Sequence, residues 1–366
     1  MFFYRITEPG KLSLGAGHSL ILRQDKSVWG AGANNFGQLG FGSATKFDTN
    51  FVEVLAGAAR AVAAGSAHSM VLKQDGSVWA TGSNRYGQLG DGTGKDREHF
   101  VKVISIGAKA VIAGSRHSLV VMDDGRVLGA GYNIYGQLGD GSALDRNMFR
   151  MVRRSDAEAV AAGVEHSLVL NQDGSLRATG GNDFGQLGDG TNVLKRTFVQ
   201  VLSAGAKAIA AGGYHSLVLK EDGSVWAMGD NKYGQLGDGS RNAKNVMHLV
   251  TSDIMQSFSF SAKAIAAGFL HSIVLGEDGS VWVTGRNNYG QLGDGSVVEN
   301  DILVPLIING AHAVAAGAFY SMILKNDGSF WGTGANNAGQ LGDGTTILKP
   351  AFVRVAQTSS DGVWAR

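Results

Sequence analysis

The chain has 366 residues, 44% of them hydrophobic and 17% charged, a balance that suits a large buried core and excludes a disordered or supercharged protein. Lys and Arg total 32 against 31 for Asp and Glu, so no overall field draws the molecule onto nucleic acid or an anionic membrane. The absence of cysteine excludes disulfides, thiolate metal sites and cysteine nucleophiles, and 55 glycines with only 3 prolines point to many tight turns.

At the start, Met1 to Pro9 lacks a basic segment followed by an apolar one, so no signal peptide is expected. No apolar run approaches the ~18 residues that span a bilayer, and the expectation is a soluble, intracellular protein of the cytoplasm or nucleus. Phe2 to Ile6 resembles an outer β-strand. From Lys11 onward the chain repeats itself. Gly-Gln-Leu-Gly begins at Gly37, Gly87, Gly136, Gly185, Gly234, Gly290 and Gly339, at intervals of 50, 49, 49, 49, 56 and 49 residues. In phase with it run His18, His68, His117, His166, His215 and His271, each followed by Ser, with Tyr320-Ser321 in the seventh copy.

Each unit holds three short apolar runs and a weaker fourth, strands A to D. Strand A is small (Ala61 to Gly65, Ala208 to Gly212), which suits the crowded position nearest an axis. Strand B follows the repeat His. An Asp-Gly hairpin turn, as at Asp75-Gly76 or Asp222-Gly223, leads to strand C. Strand C carries Trp29, Trp79, Trp226, Trp282 and Trp331, replaced by Leu128 and Arg177 in the third and fourth units, and these tryptophans are expected in the core between sheets. Strand D is the Phe-Val-x-Val segment at Phe51, Phe100, Phe198 and Phe352. Runs this short are not helices, and none has a sustained 3.6-residue period. The expectation is an all-β, seven-bladed β-propeller of four-stranded antiparallel blades, one domain over 1–366. Irregularities come in order. Arg146, Arg150, Arg153 and Arg154 form the densest basic stretch, expected to be a solvated loop. An insertion near 251–260, with Ile254, Met255, Phe258 and Phe260, lies between the fifth and sixth units. Phe352 to Val355 competes with Phe2 to Ile6 for the last outer edge, and Asp361 to Ala365 resembles the start of another strand C, so the closing segment stays open.

Gly-x-x-His-Ser, Asp-Gly-Ser-Val-Trp and Gly-x-Asn-x-x-Gly-Gln-Leu-Gly-Asp-Gly, in this order from Lys11 to Val355, resemble the repeat of the regulator of chromosome condensation family. The resemblance is specific for fold. Its members are similar in fold yet include a nucleotide exchange factor for the small GTPase Ran, an ultraviolet-B photoreceptor, β-lactamase inhibitors, bacterial effectors and modules attached to ubiquitin ligases, so fold does not choose among functions. The photoreceptor places tryptophans just before the repeat His; here those positions, from Ala16 and Gly17 to Ala318 and Phe319, hold none, which argues against light sensing. The exchange factor relies on a wedge inserted in one blade and a basic N-terminal tail, whereas here the N-terminal segment is nearly uncharged.

Catalytic chemistry finds no support in the residues. The six histidines belong to different blades and do not converge on a metal; they are expected to be structural, with ring nitrogens bonded to neighbouring backbone. One Asp per Gly-Asp-Gly loop, as at Asp91 or Asp294, is a poor calcium set and a good turn former. No Gly-x-Gly opens a helix, so no phosphate cradle is expected. No catalytic residue, metal or cofactor is assigned.

Within a repeat, positions that differ between copies are not dictated by the common fold. Antiparallel order places the A–B and C–D turns on one face, and there the varying positions are Arg116, Glu165, Tyr214, Phe269, Leu270, Phe319 and Tyr320, with Arg85, Tyr132, Asp183, Asp230, Lys232 and Arg286 around them. Tyr214, Phe269 and Phe319 supply aromatic anchors flanked by both charges, as a protein-binding hot spot requires; the competing reading is that these rings cap the central channel. The expected function is a non-enzymatic protein-interaction module, a scaffold or subunit of a larger assembly. The alternatives are guanine-nucleotide exchange on a Ran-like small GTPase and inhibition of an enzyme. The partner is then a protein, a small GTPase or a multi-subunit complex among the options, and nucleic acid is not expected as a direct ligand.

Overall fold

A computed structural model describes residues 11–42, 46–154, 156–250, 260–306, 308 and 310–356. Among these the chain forms twenty-eight strands and no helix, in seven antiparallel sheets of four; no helix is therefore long and apolar enough to cross a membrane. The sheets follow the repeat. The first joins β1 (Leu12–Leu14), β2 (His18–Leu22), β3 (Val28–Ala33) and β4 (Phe47–Leu55), and the second joins β5 (Ala59–Ala64), β6 (His68–Lys73), β7 (Val78–Gly82) and β8 (Arg97–Ile104). The seventh joins β25 (Ala311–Ala316), β26 (Tyr320–Lys325), β27 (Phe330–Gly334) and β28 (Lys349–Ala356). Each blade is thus a contiguous stretch of chain, with β28 on the outer edge of the last one. The terminal segments considered as closing strands, Phe2 to Ile6 and Asp361 to Ala365, lie outside the described residues.

The A strands pack against one another around the axis, and β1 meets β25 to close the ring. Glycine ends every A strand because the inter-blade gap has no room for a side chain. A Cβ on Gly212 would lie 2.5 Å from the carbonyl oxygen of Gly268. It would also meet the Cε1 atom of His215 in its own blade. The close approach lets backbone amides bond across blades, as Phe269 N–H to Gly317 O at 3.3 Å and Ala318 N–H to Gly15 O at 3.3 Å, the latter across the closure. On the outside, the loop after each Gly-Gln-Leu-Gly bridges to the next blade's outer strand, from Phe41 with His99 through to Asp343 with Asn50.

The two sequence markers meet at the blade junctions. His68 Nε2 bonds Ser118 Oγ at 2.9 Å, and Ser118 Oγ donates to the backbone carbonyl of Gln88 at 2.7 Å. The histidine and the Gly-Gln-Leu-Gly glutamine of one blade therefore grip the serine of the next. Five other junctions repeat this through His18, His117, His166, His215 and His271. A hydroxyl has one proton, and the carbonyl takes it, so each histidine must donate from Nε2 and is the neutral Nε2–H tautomer. The expectation of backbone partners for both ring nitrogens is corrected: Nε2 holds a serine hydroxyl, and Nδ1 is buried without a partner in all six.

At the seventh junction Tyr320 replaces histidine. Its hydroxyl donates to His18 O at 2.6 Å, while Ser19 Oγ lies 3.0 Å from the Tyr320 oxygen and 2.6 Å from Gln340 O. The longer phenol reaches the first blade's backbone, a contact that imidazole does not make at the other junctions. Tyr320→Phe is expected to cost roughly 1–3 kcal/mol by leaving buried polar groups unpaired, read as a lowered denaturant midpoint, with Tyr320→His recovering part of the loss. An unchanged midpoint would mean that the hydroxyl contributes nothing to closure.

The strand C tryptophans meet the expected core placement only in part. Only Trp282 is buried; Trp29, Trp79, Trp226 and Trp331 are half-buried. Trp29 and Trp226 pack against the buried clusters between blades, and each of the four indole N–H groups donates to the serine two residues earlier while a cation covers the ring, as with Lys220 Nζ at 3.8 Å from the Trp226 centroid. Trp282 is covered further by Phe260, ring centroids 5.3 Å apart.

Candidate functional site

The A–B and C–D turns emerge together on one face, as the antiparallel order requires. The C–D loop is rigid because its own side chains wire it. In the second blade Asn84 Oδ1 accepts from Leu89 N–H at 3.0 Å and its Nδ2 donates to Asp91 Oδ1 at 2.9 Å, while Gln88 Oε1 accepts from Tyr86 N–H at 3.0 Å. Asp91 Oδ1 also caps Thr93, and Oδ2 takes Arg97 at 2.7 Å. These partners occupy the carboxylate lone pairs that a calcium ion would need, and no group of three or more His, Asp and Glu among the described residues is arranged to hold a metal.

On this scaffold stands an arc of rings. Phe184 meets Tyr214 at 5.4 Å, Tyr214 meets Phe269 at 5.8 Å, Phe269 meets Phe319 at 5.7 Å, and Phe319 meets Tyr289 at 5.2 Å. The arc crosses blades four to seven, in edge and tilted contacts that aromatic quadrupoles favour. Tyr214, Phe269 and Phe319 are half-buried, and Phe184 and Tyr289 are exposed. Arg286 is half-buried over the Tyr233, Phe319 and Tyr289 rings, its guanidinium carbon 5.0, 5.5 and 6.0 Å from the centroids. Lys232, exposed, has its ammonium 5.7 Å from Tyr233. A second cluster on blades two and three joins Tyr86 to Tyr132 at 4.8 Å and Tyr132 to Tyr135 at 6.2 Å. Arg116, exposed, lies over Tyr86 and Tyr132 at 5.4 and 5.8 Å, and Arg85 lies 6.0 Å from Tyr86.

Glu165 sits between the two groups, half-buried. Burial raises its carboxyl above the usual range, and the neighbouring Asp183 raises it further, against a smaller opposing effect of Arg116. Asp183 is exposed. Asp230 is buried and serves its own loop, accepting from Lys232 N–H at 3.1 Å and Gln235 Nε2 at 2.9 Å. Leu270 and Tyr320 lie below the surface, at 6% and 0% exposure. Both follow the solvent-facing part of the A–B turn, and Tyr320 occupies the histidine position, so variation there reflects packing. The central mouth is lined by A-strand glycines and alanines, with Phe269 the one aromatic residue, and holds about 100 Å³. Phe269 therefore caps the channel in part, whereas Tyr214 and Phe319 stand outside it.

Counting variation missed half of this surface. Tyr86, Tyr135, Phe184, Tyr233 and Tyr289 occupy the position just before Gly-Gln-Leu-Gly, where six of seven copies are aromatic and only Ala338 differs. Constancy made them look like fold residues, yet Phe184 and Tyr289 are each 40% exposed. The signal available was a large ring on a glycine-flanked loop with no apolar run beside it. The basic stretch, expected to be a solvated loop, is instead mostly the outer strand Arg146–Arg153, in which Arg146 pairs with Asp140 and Arg153 with Asp156 at 2.9 Å while Arg150 stays exposed. The insertion near 251–260 lies outside the described residues apart from Phe260.

Among solved structures, human WBSCR16 is similar at 24% identity with a TM-score of 0.77, over 89% of this chain and 88% of that one. Prp20p from Saccharomyces cerevisiae, described with its binding properties to Gsp1p and histones, is similar at 20% identity and 0.78, over 90% and 86%. The same yeast protein bound to Kap60 gives 19% identity and 0.78. These likenesses establish the fold alone. The sequence matches no curated protein. The regulator of chromosome condensation (RCC1) repeat matches residues 11–38, 59–88, 108–137, 158–186, 206–235, 262–291 and 311–340, one stretch in every blade. With matched repeats covering more than half its length and all seven blades built on them, the chain belongs to the regulator of chromosome condensation repeat family.

Proposed function

We propose that this propeller is a non-enzymatic protein-interaction module that binds its partner through the face of the A–B and C–D turns. The observation that carries this reading is the arc Phe184–Tyr214–Phe269–Phe319–Tyr289, an aromatic strip left partly in solvent on loops wired to stay rigid. Rings with few torsions on a rigid support lose little entropy on binding, and charged residues beside them provide the rim that interfaces need. The repeat does not require a ring at these turns: the Phe269 position is Ala16 and Ala318 in the first and seventh blades, and the Tyr214 and Phe319 position is Gly17 and Ala67 in the first and second.

Phe269→Ala/Phe319→Ala is expected to abolish capture of the partner from native extract while moving the melting temperature by only a few degrees, since the rings are half-buried. Retention of the partner would move the site off this face. Exchange on a small GTPase is tested beside it. Substoichiometric protein that accelerates nucleotide release from a Ran-like GTPase would replace this reading with the catalytic one, and a target enzyme that loses activity on binding would replace it with inhibition.

A further inference from the structure

Among the arginines of this face, Arg286 and Arg116 each lie over more than one ring, whereas Arg85 reaches only Tyr86. Several arginines of the molecule are held by carboxylates, as Arg97 by Asp91, Arg126 by Asp124, Arg146 by Asp140 and Arg241 by Glu299. Arg286 and Arg116 make no ion pair among the described residues. Ring faces hold them instead. Arg286 is set among Tyr233, Phe319 and Tyr289, and its Nε donates to Asn288 Oδ1 at 2.5 Å, which fixes the plane and leaves the two terminal nitrogens free. Arg116 rests on Tyr86 and Tyr132, and Glu165 is close enough to feel its field without pairing with it. A guanidinium held flat against rings keeps its hydrogen-bonding edge open and has already lost its rotamer freedom, which is the state that a bidentate carboxylate contact rewards.

We infer that the partner is an acidic protein segment whose carboxylates dock on Arg286 and Arg116, with apolar side chains lying on the rings between. This rests on the binding face proposed above and adds the partner's chemistry. Each arginine leans on the ring that precedes Gly-Gln-Leu-Gly in the blade before it, Tyr233 for Arg286 and Tyr86 for Arg116, so two different blade pairs build the same receptor. The acidic groups of the face do not supply the missing partner: Asp230 is committed to Gln235 and its own turn, and among the described residues neither Glu165 nor Asp183 forms an ion pair with either arginine.

The test uses the full chain and short fluorescein-labelled peptides of Glu and Tyr in mixed order, with Gln-Tyr, Lys-Tyr and phosphotyrosine-Tyr counterparts, read by anisotropy at low and moderate salt. The Glu-Tyr probe is expected to bind in preference to the others. Arg286→Ala and Arg116→Ala should each weaken it about tenfold or more, as loss of a charge-paired contact does, with Arg286→Lys recovering only part. Arg126→Ala and Arg154→Ala, exposed charges away from the rings, should leave it within about twofold and so control for net charge. Equal binding of the Gln-Tyr or Lys-Tyr probe, binding of the phosphorylated probe alone, no binding of Glu-Tyr at low salt, or equal losses in the control variants would each overturn the inference. Capture from extract separates the two levels. A native partner lost in Phe269→Ala/Phe319→Ala but kept in Arg116→Ala/Arg286→Ala sinks the acidic partner and spares the face, whereas a partner kept in both sinks the face.

Discussion

Acidification from pH 7.5 to 5.5 is expected to remove most of the stability of this protein, well before its carboxylates titrate. Six histidines are fully buried and neutral, with burial the first cause of pKa values lowered to about 3, or about 4 for His68. An unfolded histidine titrates near 6.5. Between the two values the unfolded chain binds protons that the folded one refuses, so stability rises with pH across that window and falls as pH drops below ~6.5. Each histidine then costs roughly 1.4 kcal/mol per pH unit, and six together reach about 8 kcal/mol at pH 5.5, against a total stability of ~5–15 kcal/mol for ordinary domains. The loop aspartates Asp91, Asp140, Asp189, Asp238 and Asp343 act elsewhere. Hydrogen bonds and neighbouring cations lower them against an opposing burial effect, so their contribution is lost only below the ordinary carboxylate range. Denaturant melts at pH 7.5, 6.5 and 5.5 decide this. A midpoint that stays flat would mean that the junction histidines are not neutral and buried as described. Replacing one of them, as in His166→Gln, should lower the pH slope by about one proton even if it lowers stability at every pH.

Gly212→Ala is expected to be strongly destabilising for the addition of a single methyl. The added carbon would stand 2.5 Å from Gly268 O and closer still to the His215 ring, neither of which has space to retreat. Overpacking of this kind costs about 3 kcal/mol or more. It also pushes the His215 to Ser272 bond, 3.0 Å long, out of range. Gly212, just past the end of its A strand, has no positive φ, so the cost is steric and owes nothing to left-handed geometry. Gly205→Ala provides the contrast, since its φ of +86° is strained for alanine but nothing lies within 4 Å of the new carbon; it should cost only ~1–2 kcal/mol. Equal losses in the two variants, measured by denaturant midpoint, would show that the inter-blade gap has slack.

The repeat made the architecture readable before any coordinates. Two markers recurring in phase, four apolar runs per unit and Asp-Gly turns between them leave one economical solution, a ring of identical sheets. The proposed interaction surface was half legible. Arg116, Tyr214, Phe269, Phe319 and Arg286 were found because they break the repeat. Tyr86, Tyr233 and Tyr289 were missed because they keep it, and a residue that serves every blade alike gives no contrast to read. Leu270 and Tyr320 failed in the opposite way, varying because of packing beneath the surface.

By itself, then, the sequence determined blade number, strand order and which turns share a face, since these follow from local periodicity and turn chemistry acting within some fifty residues. Only the tertiary structure decided that the histidine of one blade holds the serine of the next, that four of the five strand C tryptophans stay half-buried, and that two arginines rest on rings without an ion pair. Those relations join residues in neighbouring blades, and across the closure they join Ser19 to Tyr320. No local pattern encodes which side chains meet there, because distance along the chain carries no information about contact once a ring has closed.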